Sequence, residues 1–131
     1  MGSKADFLEN KVLDHVLRNT LYTQPATVYS ALFTVIPSDS TGGTEVTNAS
    51  SGYTRVATTF CTAGATVTGQ SVNTGAVTFT TAAAAYTVVG WGLMDAITAG
   101  NLLYWATVTT LAIAINDQAT FAIGGIVITE D

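Results

Sequence analysis

Charged residues are scarce in this chain. They make up 10% of its 131 residues, whereas soluble domains contain about 25%. Thr, Ala, Ser and Gly take their place, while the apolar share of 48% is ordinary for a single folded domain. Permanent protein interfaces are depleted in charge in the same way. The composition therefore indicates a folded chain whose surface is partly covered in an oligomer or a larger assembly.

Positive charge is the scarcest of all. The chain has four cations and a net charge of −5, and Arg55 is the only cation after Arg18. Nucleic-acid binding normally requires a basic patch that neutralises phosphates. We therefore expect no nucleic-acid partner.

Cysteine and long apolar runs are also missing. Cys61 is the only cysteine, which excludes an intrachain disulfide and a zinc site built on several cysteines. Its alternating apolar setting predicts a small buried side chain. The longest apolar tract runs from Leu102 to Ile115, is interrupted by Thr, and falls short of the roughly 18 residues of a membrane span. We therefore expect no membrane partner.

No arrangement of residues indicates catalysis. His15 is the only histidine, so any Ser–His–acid or Cys–His site would have to use it, and no local sequence supports that. The carboxylates are scattered and match no calcium loop, and the glycine pairs match no phosphate-binding loop. The sequence predicts no catalytic residues, no cofactor, no metal and no enzymatic activity.

The first 20 residues predict an amphipathic helical arm. Ser3 is a suitable N-cap, and Asp6 stands where a capping box places its acid. We expect a helix from Lys4 to Arg18 that ends at Asn19. Its apolar stripe consists of Phe7, Leu8, Val12, Val16 and Leu17. The stripe packs either on the chain's own domain or on a partner chain.

Residues 21–131 have the pattern of a β-sandwich domain. Thr, Val, Ile and aromatic residues dominate, and Gly recurs at short intervals. We predict strands at 27–36, 53–61, 65–69, 75–81, 86–93, 102–109, 111–116 and 119–129. Because no βαβ unit is present, these strands predict a mainly β fold, a jelly-roll-like β-sandwich with one N-terminal α-helix.

Two irregular segments interrupt the predicted strands. Residues 37–52 form a long loop rich in turn residues, and loops of this length are often binding loops. The pair Gly124-Gly125 predicts a β-bulge that changes the alternation of the side chains. The bulge would bring four residues to one face, namely Phe121, Ile123, Ile126 and Ile128.

Three aromatic residues are either core residues or interface anchors. Tyr104 and Trp105 are adjacent and would point to opposite faces of a strand, while Trp91 lies between two glycines. Together with the helical stripe they define the predicted interface, which consists of Phe7, Leu8, Val12, Val16, Trp91, Tyr104 and Trp105.

Several short motifs occur in an order that resembles a family of short tailed-phage proteins, often labelled tail fibre proteins. The charged segment from Lys4 to Arg18 is similar to the helix with which that family begins. The most specific motif is Gly-Asn-Leu-Leu-Tyr-Trp at 100–105. The others are Ala-Leu-Phe at 31–33, Gly-Thr-Glu-Val at 43–46, Tyr-Thr-Arg at 53–55, Val-Thr-Phe at 77–79 and Gly-Leu-Met-Asp-Ala at 92–96.

The resemblance implies a structural protein of the phage particle, made in the host cytoplasm. Because β-rich cement proteins are of similar size, we expect a capsid cement or decoration protein on the outer shell. There it would bridge subunits of the major capsid protein or contact other virion proteins. We expect it to be a homo-oligomer, namely a trimer. An acidic chain suits a position away from packaged DNA.

Two alternative functions remain open. One is a tail fibre or tail adaptor component. The other is a carbohydrate-binding module with Trp91, Trp105 or Tyr53 as its platform.

Overall fold

The computed structural model describes residues 3–130. Ten strands and two helices follow one another along the chain. They are β1 (Ser3–Lys4), α1 (Asp6–Leu17), β2 (Val28–Val35), β3 (Thr44–Glu45), α2 (Asn48–Ser51), β4 (Val56–Thr58), β5 (Gln70–Val72), β6 (Val77–Thr78), β7 (Tyr86–Met94), β8 (Leu102–Ile113), β9 (Thr120–Phe121) and β10 (Val127–Thr129).

The long strands form one antiparallel sheet. Its order is β1-β8-β7-β2-β3, and β4 also pairs with β2. Strand β7 occupies the middle, where Trp91 lies opposite Leu32 on one side and Ala106 on the other. Two smaller antiparallel sheets, β5 with β10 and β6 with β9, complete the strand pairing.

The main core lies between the large sheet and the two small ones. Trp91, Leu32 and Ala106 from the large sheet share one buried cluster with Val77 and Ile128 from the small sheets. The arrangement is sandwich-like and confirms the mainly β fold with an N-terminal helix. Within residues 3–130, however, the strands do not form the two four-stranded sheets of a jelly roll.

The opposite face of the large sheet has a smaller apolar cluster. Ala31, Phe33 and Met94 are buried there, with Leu102 packed against them. The Phe33 ring packs over Gly92 of β7. A Cβ added to Gly92 would lie 2.7 Å from that ring. Strand β2 is therefore apolar on both faces, as its sequence predicts.

The helix begins later than predicted. Ser3 and Lys4 pair with Trp105 and Tyr104 of β8, and α1 begins at Asp6. The N-cap is Ala5, without a side-chain hydrogen bond, so the prediction of a Ser3 cap was wrong. Strand pairing gives these two residues backbone partners that a helix could not, which explains the difference. Asn19 follows the helix with φ of 53°, in agreement with the predicted stop.

Four of the predicted strands differ from the structure. Residues 65–69 lie in turns, and the predicted strands 102–109 and 111–116 belong to one continuous strand, β8, which ends at Ile113. The segment 119–129 divides at Gly124, which has φ of 72°. Its first part pairs with β6 and its second part with β5. A turn therefore replaces the predicted bulge, and Ile123 is exposed while Ile126 is buried.

No helix in residues 3–130 is long and apolar enough to cross a membrane.

Candidate interaction surfaces

The outer half of α1 is an uncovered apolar surface. Its N-terminal part is anchored, since Ala5 donates a backbone hydrogen bond to Leu103 and both Ala5 and Leu8 are buried. Beyond Leu8 the large apolar side chains point into solvent. Four residues form this surface, which we call the arm face: Val12 (38% exposed), Leu13 (54%), Val16 (70%) and Leu17 (73%). Leu21, which follows the helix, is also exposed (79%).

The predicted helical interface residues therefore divide into two groups. Leu8 is buried against residues 21–131 of the same chain, which we call the body. Phe7 is half-buried, and the Lys11 ammonium lies 5.6 Å from its ring centroid. Val12 and Val16 are exposed. Leu13 and Leu21 were absent from the predicted stripe. The signal for Leu13 was its position beside Val12, which repeats at Val16-Leu17 and widens the apolar face.

The predicted aromatic anchors have different environments. Trp91 is fully buried in the main core, so it offers no surface to a partner. Trp105 is half-buried and its indole N–H donates to Asp39 Oδ1 at 2.8 Å. Tyr53 is also buried. Of the three residues proposed for a carbohydrate platform, only Trp105 reaches the surface.

Tyr104 belongs to a cluster that joins the two ends of the described chain. Its hydroxyl donates to Glu130 Oε1, and the Lys4 ammonium lies 2.6 Å from Glu130 Oε2. Burial alone would raise the pKa of Glu130, but the hydrogen bonds from Lys4 and Tyr104 outweigh it and lower that pKa. We call this group the terminal clasp.

The predicted 37–52 loop is partly folded and tied down by Arg55. The Arg55 guanidinium makes a bidentate contact with the Glu45 carboxylate, with Nε 2.8 Å from Oε1 and Nη2 2.7 Å from Oε2. Arg55 Nη1 also donates to the carbonyls of Ala96 and Ala99, both at 2.7 Å. Because the Arg55 side chain is only 8% exposed, this is a buried link between β3 and the turn after β7.

Tyr53 completes the Arg55 cluster. Its hydroxyl accepts from the Leu32 backbone N–H at 3.0 Å and donates to Glu45 Oε1 at 2.8 Å. Burial, and then the nearby Glu45 carboxylate, raise the pKa of Tyr53. No motif in the sequence predicted this cluster. The available signal was that Arg55 is the one cation in an acidic stretch of more than a hundred residues.

The sole cysteine is half-buried and makes local contacts. Cys61 Sγ accepts from the Val72 N–H at 3.4 Å. Among residues 3–130, no group of three or more His, Cys, Asp and Glu side chains is placed to hold a metal ion.

The chain matches a family of phage proteins over most of its length. The family described as podophage GP4 fiber I protein gp80 matches residues 3–129. The match covers nearly the whole chain, including the helix, the large sheet and both small sheets. No curated protein matches the sequence.

The class is therefore that of phage structural proteins, components of the virion. Within this class, the chain belongs to the podophage GP4 fiber I protein gp80 family.

Proposed function

We propose that this protein is a component of a podophage tail fibre and acts through contacts with other virion proteins rather than through catalysis. The observation that carries the proposal is a surface with few charges and many large apolar side chains. Beyond the arm face, the exposed set consists of Leu21, Val35, Ile36, Val67, Ile97, Leu111, Ile115 and Ile123. A contiguous exposed apolar patch such as the arm face marks a site of protein contact, whereas apolar residues that are exposed singly are ordinary.

The anchoring of the surface loops supports this role. Arg55 and Glu45 hold the segment after β2 against the turn after β7, with the guanidinium nearly buried. Surfaces that are organised before binding lose less entropy on association. A fibre subunit needs such rigid faces because its partners are fixed in the particle.

A capsid cement protein is the second candidate. The net charge of −5 favours an outer position, since packaged DNA would repel an acidic chain. The same charge is compatible with a fibre, so location decides between the two functions.

Mass spectrometry of separated heads and tails, with copy numbers, tests the proposal. We expect the protein in the tail fraction at a small, fixed number of copies per particle. Peptides of the major capsid protein serve as the control for contamination of that fraction. Hundreds of copies on heads would favour the cement function, and absence from both fractions would contradict a virion role.

A further inference from the structure

A groove lies between the segment around β3 and the turn that follows β7. Its volume is about 360 Å³, at the lower end of the roughly 300–1,000 Å³ that small-molecule sites occupy. We call it the Arg55 groove, because this side chain joins the two segments that form it. Its lining includes residues of both segments, namely Glu45, Val46, Asn48, Arg55, Ile97 and Ala99.

The polar part of the lining is held in place by the protein itself. The Arg55 side chain is 8% exposed and pairs with Glu45 on one side of the groove. Its Nη1 donates to the carbonyls of Ala96 and Ala99 on the other side. Tyr53, which is buried, also holds Glu45 through its hydroxyl. A site that is organised in this way loses little entropy when a ligand binds.

Both members of the ion pair keep some hydrogen-bonding capacity. Four of the five guanidinium N–H groups of Arg55 have acceptors, and the fifth, on Nη2, has none among residues 3–130. Glu45 Oε1 accepts from Tyr53 and Arg55, but Oε2 accepts from Arg55 alone. The exposed Asn48 donates through Nδ2 to the Tyr53 carbonyl, and in the same part of the chain its Oδ1 has no donor. The groove therefore offers a donor beside two acceptors.

This combination favours one class of ligand. A charged ligand would compete with a nearly buried ion pair whose charges already neutralise one another. A purely apolar ligand would leave the remaining Arg55 N–H and the Glu45 Oε2 acceptor without partners. A hydroxyl group donates and accepts at one atom and can satisfy both. Beside these groups, Ile97 is 55% exposed and provides an apolar floor.

We propose that the Arg55 groove binds a neutral sugar unit of a glycan. Ring hydroxyls bond to Glu45, Arg55 and Asn48. The apolar face of the ring packs on Ile97, an aliphatic floor in place of the aromatic platform that the sequence predicted. This binding goes beyond the tail-fibre function and does not depend on where the protein is located in the particle.

Amide NMR titration of the full chain tests the proposal. The probes are the methyl glycosides of glucose, galactose, mannose, N-acetylglucosamine and rhamnose. Each is raised to about 50 mM, well above the dissociation constant on the order of 1 mM expected for one small ligand. The groove variant is Ile97→Ser. The control is Ile115→Ser, which changes an apolar residue of similar exposure (58%) outside the lining of the groove. Circular dichroism melts check that all three proteins fold.

We expect saturable shifts of the Asn48, Ile97 and Thr98 amides with at least one of the probes. Ile97→Ser should raise the dissociation constant about tenfold, because the sugar ring loses its apolar floor. Ile115→Ser should bind like the wild type.

Four results would overturn the proposal. They are the absence of saturable shifts with every probe, shifts confined to another part of the molecule, an unchanged affinity of Ile97→Ser, and an equal loss of affinity in Ile115→Ser. None of them would affect the tail-fibre function, which the copy numbers in separated heads and tails test.

Discussion

At the scale of single residues, Arg55 links three segments of the chain. From its own segment before β4, it contacts Glu45 of β3 and the carbonyls of Ala96 and Ala99 in the turn after β7. A buried cation of this kind is stabilised only while its partners remain, because removing one partner leaves an uncompensated charge. The single cation of the acidic body is thus a structural residue.

Replacing this residue should be costly. Arg55→Met would leave Glu45 without its cation, and we expect the free energy of unfolding to fall by about 2–4 kcal/mol. Urea denaturation at pH 7 measures this loss. The matched control is Arg18→Met, which removes the ion pair between Arg18 and Asp14. Because the Arg18 side chain is 74% exposed, losing this pair should lower the free energy of unfolding by less than about 0.5 kcal/mol. Equal losses in the two variants would contradict the role assigned to Arg55.

At the scale of elements, the entry into β3 depends on a backbone conformation that only glycine adopts easily. Gly43 has φ of 62°, and a Cβ there would lie 2.5 Å from the Val35 carbonyl oxygen. A Cβ at the preceding Gly42 would meet no atom within 4 Å. The two neighbouring glycines therefore have different roles, although they look alike in the sequence.

This difference yields a matched pair of variants. Gly43→Ala should destabilise the protein by about 2 kcal/mol or more, because a positive φ and a steric clash act together. Gly42→Ala should change the stability by less than about 0.5 kcal/mol. Thermal unfolding followed by circular dichroism measures both. A Gly43→Ala protein that melts like the wild type would show that the turn can be rebuilt at little cost.

At the scale of the whole molecule, the terminal clasp joins β1, β8 and the residue after β10. Lys4, Tyr104 and Glu130 meet at one point of the large sheet. The arm is thus attached at its base by strand pairing, by the clasp and by buried Leu8. Removing residues 1–20 would uncover the body as well as delete the arm face, so point variants of exposed residues are the cleaner test of the arm.

The clasp predicts a dependence of stability on pH. Because the pKa of Glu130 is lowered on folding, its stabilising effect is present above its unfolded pKa of about 4.3. The effect is lost as pH falls through the folded pKa. Glu130→Gln should therefore be less stable than the wild type at pH 7, and the difference should shrink as pH falls below about 4.

Urea denaturation from pH 7 to pH 3 measures the effect of the clasp. Glu9→Gln, which neutralises an exposed carboxylate on α1, is the control and should follow the wild-type curve. A difference between Glu130→Gln and wild type that is as large at pH 3 as at pH 7 would show that the clasp acts through packing rather than charge.

Much of the architecture could be predicted from local patterns. The β-type patterns at 27–36 and 86–93 predicted two strands, which the structure has as β2 and β7 inside the large sheet. The amphipathic pattern of the first 20 residues predicted α1 to within two residues. Such patterns succeed because the spacing of side chains along one element determines which of them share a face.

The errors occurred where distant residues compete for the same segment. Ser3 could cap a helix, yet it pairs with Trp105, about one hundred residues away. The segment 119–129 could form one strand, yet its halves pair with β6 and β5. Backbone hydrogen bonds to a remote strand are as strong as local ones, and no local pattern reveals them.

The sequence by itself determined that this is a mainly β protein with a helical arm, few charges and one cation in its body, because composition and side-chain spacing are local properties. Only the tertiary structure decided that Trp91 is core, that Val16 and Leu17 are exposed, and that Arg55 joins three segments. The physical reason is that burial depends on which elements pack together. Two apolar residues with the same local sequence pattern therefore differ in solvent exposure when one lies between sheets and the other points into water.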